Sequence, residues 1–249
     1  MTPLCSGIPS TAAFRKPRAE ENEGRDTHTS VLSGNGRTEL DTLLDAKVDG
    51  GDVPGVVAEV ANRERTLYRG AFGKLDERGA VDMPTDAIFR IASMTKPVTS
   101  VAVMILKDQG LVDPDDEVGQ YLPELKGAEV IVEFDSSDSS YPTRPASREI
   151  TLRDLLSHTA GFGYDFSNYT LSKLGDRLPA IPPLLHDPGT RWTYGMSTRV
   201  LGRVIEKVTN QSLDVFFESS IFKPLGMSDT GFYLRPEDRP RLASRFRRI

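Results

Sequence analysis

A serine and a lysine stand three residues apart in the stretch IFRIASMTKPVTS, residues 88–100, and this pair is suited to nucleophilic chemistry. A serine hydroxyl becomes a good nucleophile only when a neighbouring group removes its proton. On a helix, Ser93 and Lys96 share one face, so the amine lies within reach of the hydroxyl. A helix N-terminus adds backbone N–H groups and a positive dipole end beside developing negative charge. The pair therefore predicts a nucleophilic serine with a lysine partner.

Spacing alone does not single out this serine. At average residue usage, about one Ser-x-x-Lys pair is expected by chance in a chain of this length. The sequence holds a second pair, Ser220 and Lys223. It lies at the predicted C-terminal end of a helix, just before Pro224, where the helix dipole opposes a developing oxyanion. We interpret the second pair as a chance match. A structural alternative for the first is that Ser93 is only the N-cap of a solvated helix.

The elements around the first pair are predicted to present it at a helix start. A short strand over residues 87–91 leads into a helical pattern over residues 94–110. Pro97 is tolerated only in the first turn of a helix, which sets the predicted start at about Ser93. Apolar side chains recur along this helix and would cover the lysine: Val98, Val101, Ala102, Met104, Ile105 and Leu106.

The remaining pattern predicts an α+β fold in which strands come early and helices follow. Residues 38–51 read as a helix ended by two glycines, and residues 55–73 as a β-hairpin with a polar turn at residues 62–65. Residues 128–149 are acidic, serine-rich and interrupted by prolines, which predicts an exposed excursion.

Three helices are predicted in the second half of the chain. Thr151 and Asp154 form a capping-box pattern at the start of a short helix. Residues 197–212 are amphipathic with helical spacing, and residues 212–227 form a further helix that ends at a proline and a glycine.

Three ordered blocks resemble the serine β-lactamase and penicillin-binding-protein-like superfamily, in particular its class C β-lactamase-related esterases. They are FRIASMTKPVTSVAVMILKDQGLVDPDDEVGQYLPEL at residues 89–125, ITLRDLLSHTAGF at residues 150–162, and PGTRWTYGMSTRVLGRVIEKVTNQSLDVFFESSIFKPLGMSDTGF at residues 188–232. The resemblance covers most of residues 38–242. It implies a β-lactamase/transpeptidase-like α+β fold, with a remnant of the antiparallel sheet, flanking helices and a helical region.

The resemblance also implies roles for three side chains. Ser93 would be the acylated nucleophile, and Lys96 its partner in proton transfer. Tyr194, in WTYGMS, would act as a base or proton shuttle, since a nearby cation favours phenolate. The backbone N–H of Ser93 would supply half of the oxyanion hole. The implied function is acyl transfer through a covalent acyl-serine, with an ester, or a β-lactam or amide, as the small-molecule substrate.

Two departures from the family pattern bear on activity. The tyrosine motif of class C β-lactamases is Tyr-x-Asn, whereas Met196 stands at the third position here, which favours esters over lactams. We expect Ser197 to compensate in part for the lost amide. The family also carries a Lys- or His-led, glycine-ending motif on a later strand, and no such strand follows Tyr194. We therefore expect a domain that is incomplete at its C-terminus and lacks the last strands.

Such a domain is expected to be inactive or weakly active, because losing one oxyanion donor costs about 10²–10³ in rate. Two alternatives stay open: a catalytically inactive relative that serves as a binding or structural module, and a piece of a longer active protein. We place a disordered leader at residues 1–36 and the β-lactamase-related domain at residues 37–249.

Composition excludes several other function classes. The net charge of −5 argues against a nucleic-acid-binding face, and a single cysteine rules out a disulfide framework. The three histidines lack metal-ligand spacing, and the implied chemistry needs no cofactor or metal. No apolar run is long enough for a membrane span, and no signal peptide is evident, so a cytoplasmic location is predicted. The oligomeric state is left open.

Overall fold

The computed structural model describes residues 33–245 except residues 77, 176–178 and 180. Most of the predicted leader therefore lies outside the described residues. The chain divides into two compact units between Lys74 and Leu75. A single domain over residues 37–249 stays a prediction.

The first unit consists of a helix and a β-hairpin. Helix α1 (Gly34–Asp49) begins inside the predicted leader, because the Ser33 hydroxyl accepts a 3.0 Å hydrogen bond from the Gly36 N–H and so caps the helix. Strands β1 (Gly55–Ala61) and β2 (Thr66–Gly73) pair antiparallel, and α1 packs against β2. The helix and the hairpin predicted from the sequence are confirmed.

The regular elements described in the second unit are mainly helices. Its helices are α2 (Thr95–Asp108), α3 (Leu152–Leu156), α4 (Tyr169–Leu174), α5 (Ser197–Thr209) and α6 (Leu213–Phe217), the last continued by a π-helical turn (Glu218–Phe222). A small antiparallel sheet is formed by β3 (Glu129–Ile131) and β4 (Thr143–Pro145). The predicted α+β fold is confirmed.

The core of the second unit forms where α2, α3 and α6 pack on α5. Helix α5 contributes one buried face, as its 3.6-residue apolar period predicts. The fully buried side chains include Ala102, Leu106, Ile150, Leu152, Leu155, Leu201, Ile205 and Phe217. The predicted capping box at the start of α3 is present, with Thr151 and Asp154 each bonded to the other's backbone N–H. These contacts hold α2 and α5 in place, and with them the segment that precedes each of the two helices.

Two local predictions are wrong. Residues 87–91 do not form a strand. Only Ile88 pairs, in an isolated bridge with Leu242 near the end of the described chain, and no longer partner segment from the described residues lies beside this stretch. The predicted excursion over residues 128–149 is not exposed throughout. Its ends form β3 and β4, and Val130 is buried in the core beside Leu184.

Candidate active site

Ser93 lies in a 3₁₀ turn (Ala92–Met94) that leads directly into α2. The interpretation of Ser93 as a helix N-cap is wrong, since Met94 occupies that position and no side chain caps the helix. Pro97 falls in the first turn of α2, as predicted. Ala92 has a φ of +44°, a conformation that costs a non-glycine residue about 1–2 kcal/mol. The backbone is therefore strained immediately before the exposed hydroxyl of Ser93.

The structure brings Ser93, Lys96 and Tyr194 together. Lys96 Nζ donates a 3.1 Å hydrogen bond to Ser93 Oγ, and the Tyr194 hydroxyl donates one of 2.9 Å to the same oxygen. The first contact follows from helical spacing, whereas the second joins two distant parts of the chain. All three side chains named from the sequence therefore meet at one oxygen atom.

The Lys96 ammonium also faces two aromatic rings. Its Nζ lies 4.7 Å from the ring centre of Tyr194 and 5.9 Å from that of Tyr164, within the range of a cation–π interaction. Lys96, and next the hydrogen bond with Ser93, lower the pKa of the Tyr194 phenol below its ordinary value. The Lys96 cation thus makes the phenolate, which is the form able to accept a proton, easier to reach than in an ordinary tyrosine.

Two histidines hold the segment that carries Tyr194. The N–H of Thr193 donates a 2.8 Å hydrogen bond to the carbonyl of His158, and the Thr193 hydroxyl lies 2.9 Å from His186 Nε2. His186 Nδ1 faces the carbonyl of Asp187 at 2.9 Å. Because a carbonyl only accepts, Nδ1 carries the hydrogen, and in the neutral ring Nε2 accepts from Thr193. Tyr194 is thus placed by its preceding neighbour.

Gly195 itself lies close to the backbone of Phe162 and Gly163. A Cβ added at Gly195 would lie 2.0 Å from the carbonyl oxygen of Phe162 and 2.7 Å from Cα of Gly163. Only glycine fits this approach, which sets the position of Tyr194 against residues 162–163.

His158 was not predicted as a site residue. Its ring packs 5.1 Å from the ring of Tyr194, and its backbone adopts a left-handed φ of +58°. Nδ1 is buried without a hydrogen-bond partner. Burial, and secondly the charge of Lys96, lower the pKa of His158, so the neutral ring is favoured. The signal in the sequence was its place in the block LLSHTAGF, but only the fold reveals its contact with the tyrosine.

The residues that follow Tyr194 present no polar group in place of the missing amide. Met196 is half-buried against the core. Ser197, expected to compensate for it, is 0% exposed and its hydroxyl has no partner. That expectation is wrong, because Ser197 begins α5 and faces into the core.

The second Ser-x-x-Lys pair takes part in no such arrangement. Ser220 lies in the π-helical turn after α6, and Lys223 Nζ is 3.6 Å from the Glu218 carboxylate. In the described part of the chain, no group of three or more His, Cys, Asp or Glu side chains is placed to hold a metal ion. Among the same residues, no helix is long and apolar enough to cross a membrane.

The family of the chain follows from comparison with known proteins. The family model described as Beta-lactamase matches residues 40–248. The chain belongs to the beta-lactamase family. The superfamily predicted from the three sequence blocks is confirmed, as is its β-lactamase/transpeptidase-like fold.

Relatives of this chain include acyltransferases and esterases. ML-236A carboxylate methylbutanoyltransferase mlcH of Penicillium citrinum is 34% identical over 175 residues, which are 66% of this chain and 41% of that protein. Esterase EstB of Burkholderia gladioli is 32% identical over 212 residues, 78% of this chain and 50% of that protein. Unliganded simvastatin synthase (LovD) of Aspergillus terreus is similar in structure, with 28% identity, a TM-score of 0.75, and coverage of 85% of this chain and 58% of that one. The chain spans about half the length of the curated relatives it matches.

Proposed function

We propose that this protein is a serine hydrolase or acyltransferase of the beta-lactamase family that acts on esters through a covalent acyl-Ser93. The observation that carries the proposal is the convergence of Lys96 and Tyr194 on Ser93 Oγ, at 3.1 and 2.9 Å. Hydrogen-bond contact between a nucleophile and its base is the geometric requirement for this chemistry.

Tyr194 is the proton carrier in this proposal. As phenolate it takes the proton of Ser93 while the serine oxygen bonds to the ester carbonyl carbon. The phenol then gives that proton to the departing alkoxide, which leaves as a neutral alcohol. The Lys96 cation supports the phenolate, in agreement with the lowered pKa of Tyr194. In the second half of the cycle, water or another alcohol gives its proton to Tyr194 and attacks the acyl carbon, and Ser93 regains the proton.

Ester substrates are favoured over lactams by the surroundings of Tyr194. Met196 offers no amide, and the Ser197 hydroxyl is buried, so neither orients a lactam side chain. An esterase and a methylbutanoyltransferase among the relatives are consistent with ester chemistry. The sequence predicts an inactive or weakly active chain. The proposal requires weak activity, and this stays a prediction.

The test is turnover of phenyl acetate, followed by release of phenol. Ser93→Ala is expected to abolish turnover, and Lys96→Met and Tyr194→Phe to lower it about 10²-fold or more. Tyr194→Phe is expected to affect phenyl acetate more than para-nitrophenyl acetate, because nitrophenolate leaves without a proton. Ser220→Ala, with the same Ser-x-x-Lys spacing, is the matched control and should keep the unmodified rate. A wild-type rate equal to that of Ser93→Ala would contradict the proposal and favour the binding or structural module.

A further inference from the structure

Four aromatic rings form a continuous corner beside the nucleophile. Tyr164 and Phe166 stack with ring centres 4.8 Å apart and planes 19° apart. Trp192 and Tyr194 lie nearly parallel, at 6.2 Å and 24°. Tyr164 meets Tyr194 edge-on, at 5.7 Å and 63°, so the two pairs join at an angle. We call these four residues the aromatic corner.

The outer rings of the aromatic corner are open to solvent, whereas the inner rings contact the reacting groups. Trp192 is 63% exposed and Phe166 is 75% exposed. Tyr194 bonds to Ser93 Oγ, and Tyr164 lies under the Lys96 ammonium. Large aromatic side chains exposed next to a nucleophile indicate a binding surface, because each offers an apolar face that water solvates poorly.

His158 supports one of the two ring pairs of the aromatic corner, Trp192 and Tyr194. The His158 ring packs against both Trp192, at 6.3 Å, and Tyr194, at 5.1 Å. Rings that already pack against a neighbour lose less side-chain entropy when a ligand stacks on them than free rings do. The shape and the apolar faces of the corner suit a flat apolar group.

We propose that the aromatic corner binds the alcohol half of the ester and selects esters of flat, apolar alcohols of the benzyl type. This inference rests on the proposed function. When the bond between the acyl carbon and the alcohol oxygen breaks, that oxygen takes the proton of the Tyr194 phenol, which becomes phenolate. The alcohol oxygen must therefore lie beside Tyr194, and its substituent extends over the rings next to Tyr194.

The same corner receives an alcohol that accepts the acyl group. The incoming alcohol gives its proton to the Tyr194 phenolate while its oxygen bonds to the acyl carbon. The bond to Ser93 Oγ then breaks, and the serine oxygen takes the proton back from Tyr194. Since this is the reverse of the first half-reaction with another alcohol, benzyl-type alcohols compete with water for the acyl-enzyme.

The test measures binding without chemistry, in the Ser93→Ala variant of the full chain. Saturation-transfer NMR compares benzyl alcohol with cyclohexylmethanol, which has a similar size but no flat π face. Benzyl alcohol is expected to bind about 3- to 10-fold more tightly, the size of one aromatic pair interaction. Equal affinities, or no binding of either probe, would overturn the proposal.

Variants of the corner locate the binding. In the Ser93→Ala background, Trp192→Ala and Phe166→Ala are each expected to weaken benzyl alcohol binding at least 3-fold and to reduce the preference over cyclohexylmethanol. Tyr233→Ala is the matched control, since Tyr233 is an aromatic residue that is 81% exposed and lies outside the corner. An equal loss in Tyr233→Ala would overturn the proposal. Because Ser93→Ala cannot be acylated, these results are independent of the enzymatic activity, so a failure of ester turnover alone would count only against the proposed function.

Discussion

The Tyr194 hydroxyl donates a 2.9 Å hydrogen bond to Ser93 Oγ across 101 residues of sequence. The Lys96–Ser93 bond, by contrast, spans three residues at the start of one helix. The local pair needs only the 3₁₀ turn and the first turn of α2, whereas the tyrosine contact needs the packing of α2 and α5 and the backbone contacts of Thr193. The complete site is therefore a property of the second unit as a whole.

The Tyr194 phenol is expected to titrate below the ordinary tyrosine pKa of about 10. The Lys96 cation stabilises the phenolate, so Lys96→Met should move the pKa upward. NMR of protein labelled with carbon-13 at the tyrosine ring measures this, and the Tyr194→Phe variant assigns the signal among the seven tyrosines. A Tyr194 pKa at or above the ordinary value, or one unchanged by Lys96→Met, would contradict the role given to the lysine.

His158 is expected to make the fold less stable in mild acid. Its pKa is lowered in the folded state, so between the ordinary value of about 6.5 and the lowered value the unfolded chain binds more protons. The stability contributed by the neutral ring is therefore present above about pH 6.5 and declines as the pH falls. Chemical denaturation between about pH 7.5 and pH 5.5, above the usual carboxylate range, measures this decline.

The control for that prediction is His158→Asn, because asparagine tolerates the left-handed φ of +58° and does not titrate. The free energy of unfolding of this variant should depend less on pH over the same range. A decline as steep as in the unmodified protein would show that another group is responsible.

Thr193 is expected to hold Tyr194 through His186. Thr193→Val keeps the shape but leaves buried Nε2 of His186 without its partner, which should lower the free energy of unfolding by about 1–3 kcal/mol. Thr193→Ser retains the hydroxyl and should lose much less. We expect this loss to shift the loop that carries Tyr194. Thr193→Val should therefore also reduce kcat for phenyl acetate more than it changes KM. If valine and serine behaved alike, the hydroxyl contact would have no such role.

Gly195 is expected to tolerate no side chain. Gly195→Ala would force a Cβ against the Phe162 carbonyl at 2.0 Å, and overpacking of this kind costs about 1–3 kcal/mol or more. Gly202→Ala is the matched control, since its Cβ would lie 3.2 Å from the end of the flexible Leu213 side chain, within a helix where alanine is favoured. Thermal unfolding should show a clear loss for Gly195→Ala and little change for Gly202→Ala. Equal losses would contradict the close approach at Gly195.

Local sequence signals predicted local structure well. The hairpin turn at residues 62–65, the capping box of Thr151 and Asp154, and the place of Pro97 in the first turn of α2 are all confirmed, because each depends on neighbours along the chain. The prediction of a strand at residues 87–91 is wrong, because a strand depends on a partner that is distant along the chain. Its partner, Leu242, lies far away in sequence and pairs at one residue only.

The site was predictable in part. The Ser-x-x-Lys spacing at a predicted helix start pointed to Ser93 and Lys96, and the family resemblance pointed to Tyr194. Neither signal could find the contact of His158 with Tyr194 or the burial of Ser197, which depend on how α5 and the preceding loop pack. Residues whose role depends on a tertiary contact have no characteristic spacing in the sequence by which they could be recognised.

The most direct measurement is covalent labelling by a fluorophosphonate probe, with the modified residue located by peptide mass spectrometry. We expect slow but specific labelling at Ser93, absent from Ser93→Ala, retained in Ser220→Ala, and slowed in both Lys96→Met and Tyr194→Phe. The hydroxyl that accepts hydrogen bonds from both Lys96 and Tyr194 should be the reactive one. Labelling that survives in Ser93→Ala, or an unmodified protein that takes up no probe, would contradict the assignment of Ser93 as the nucleophile.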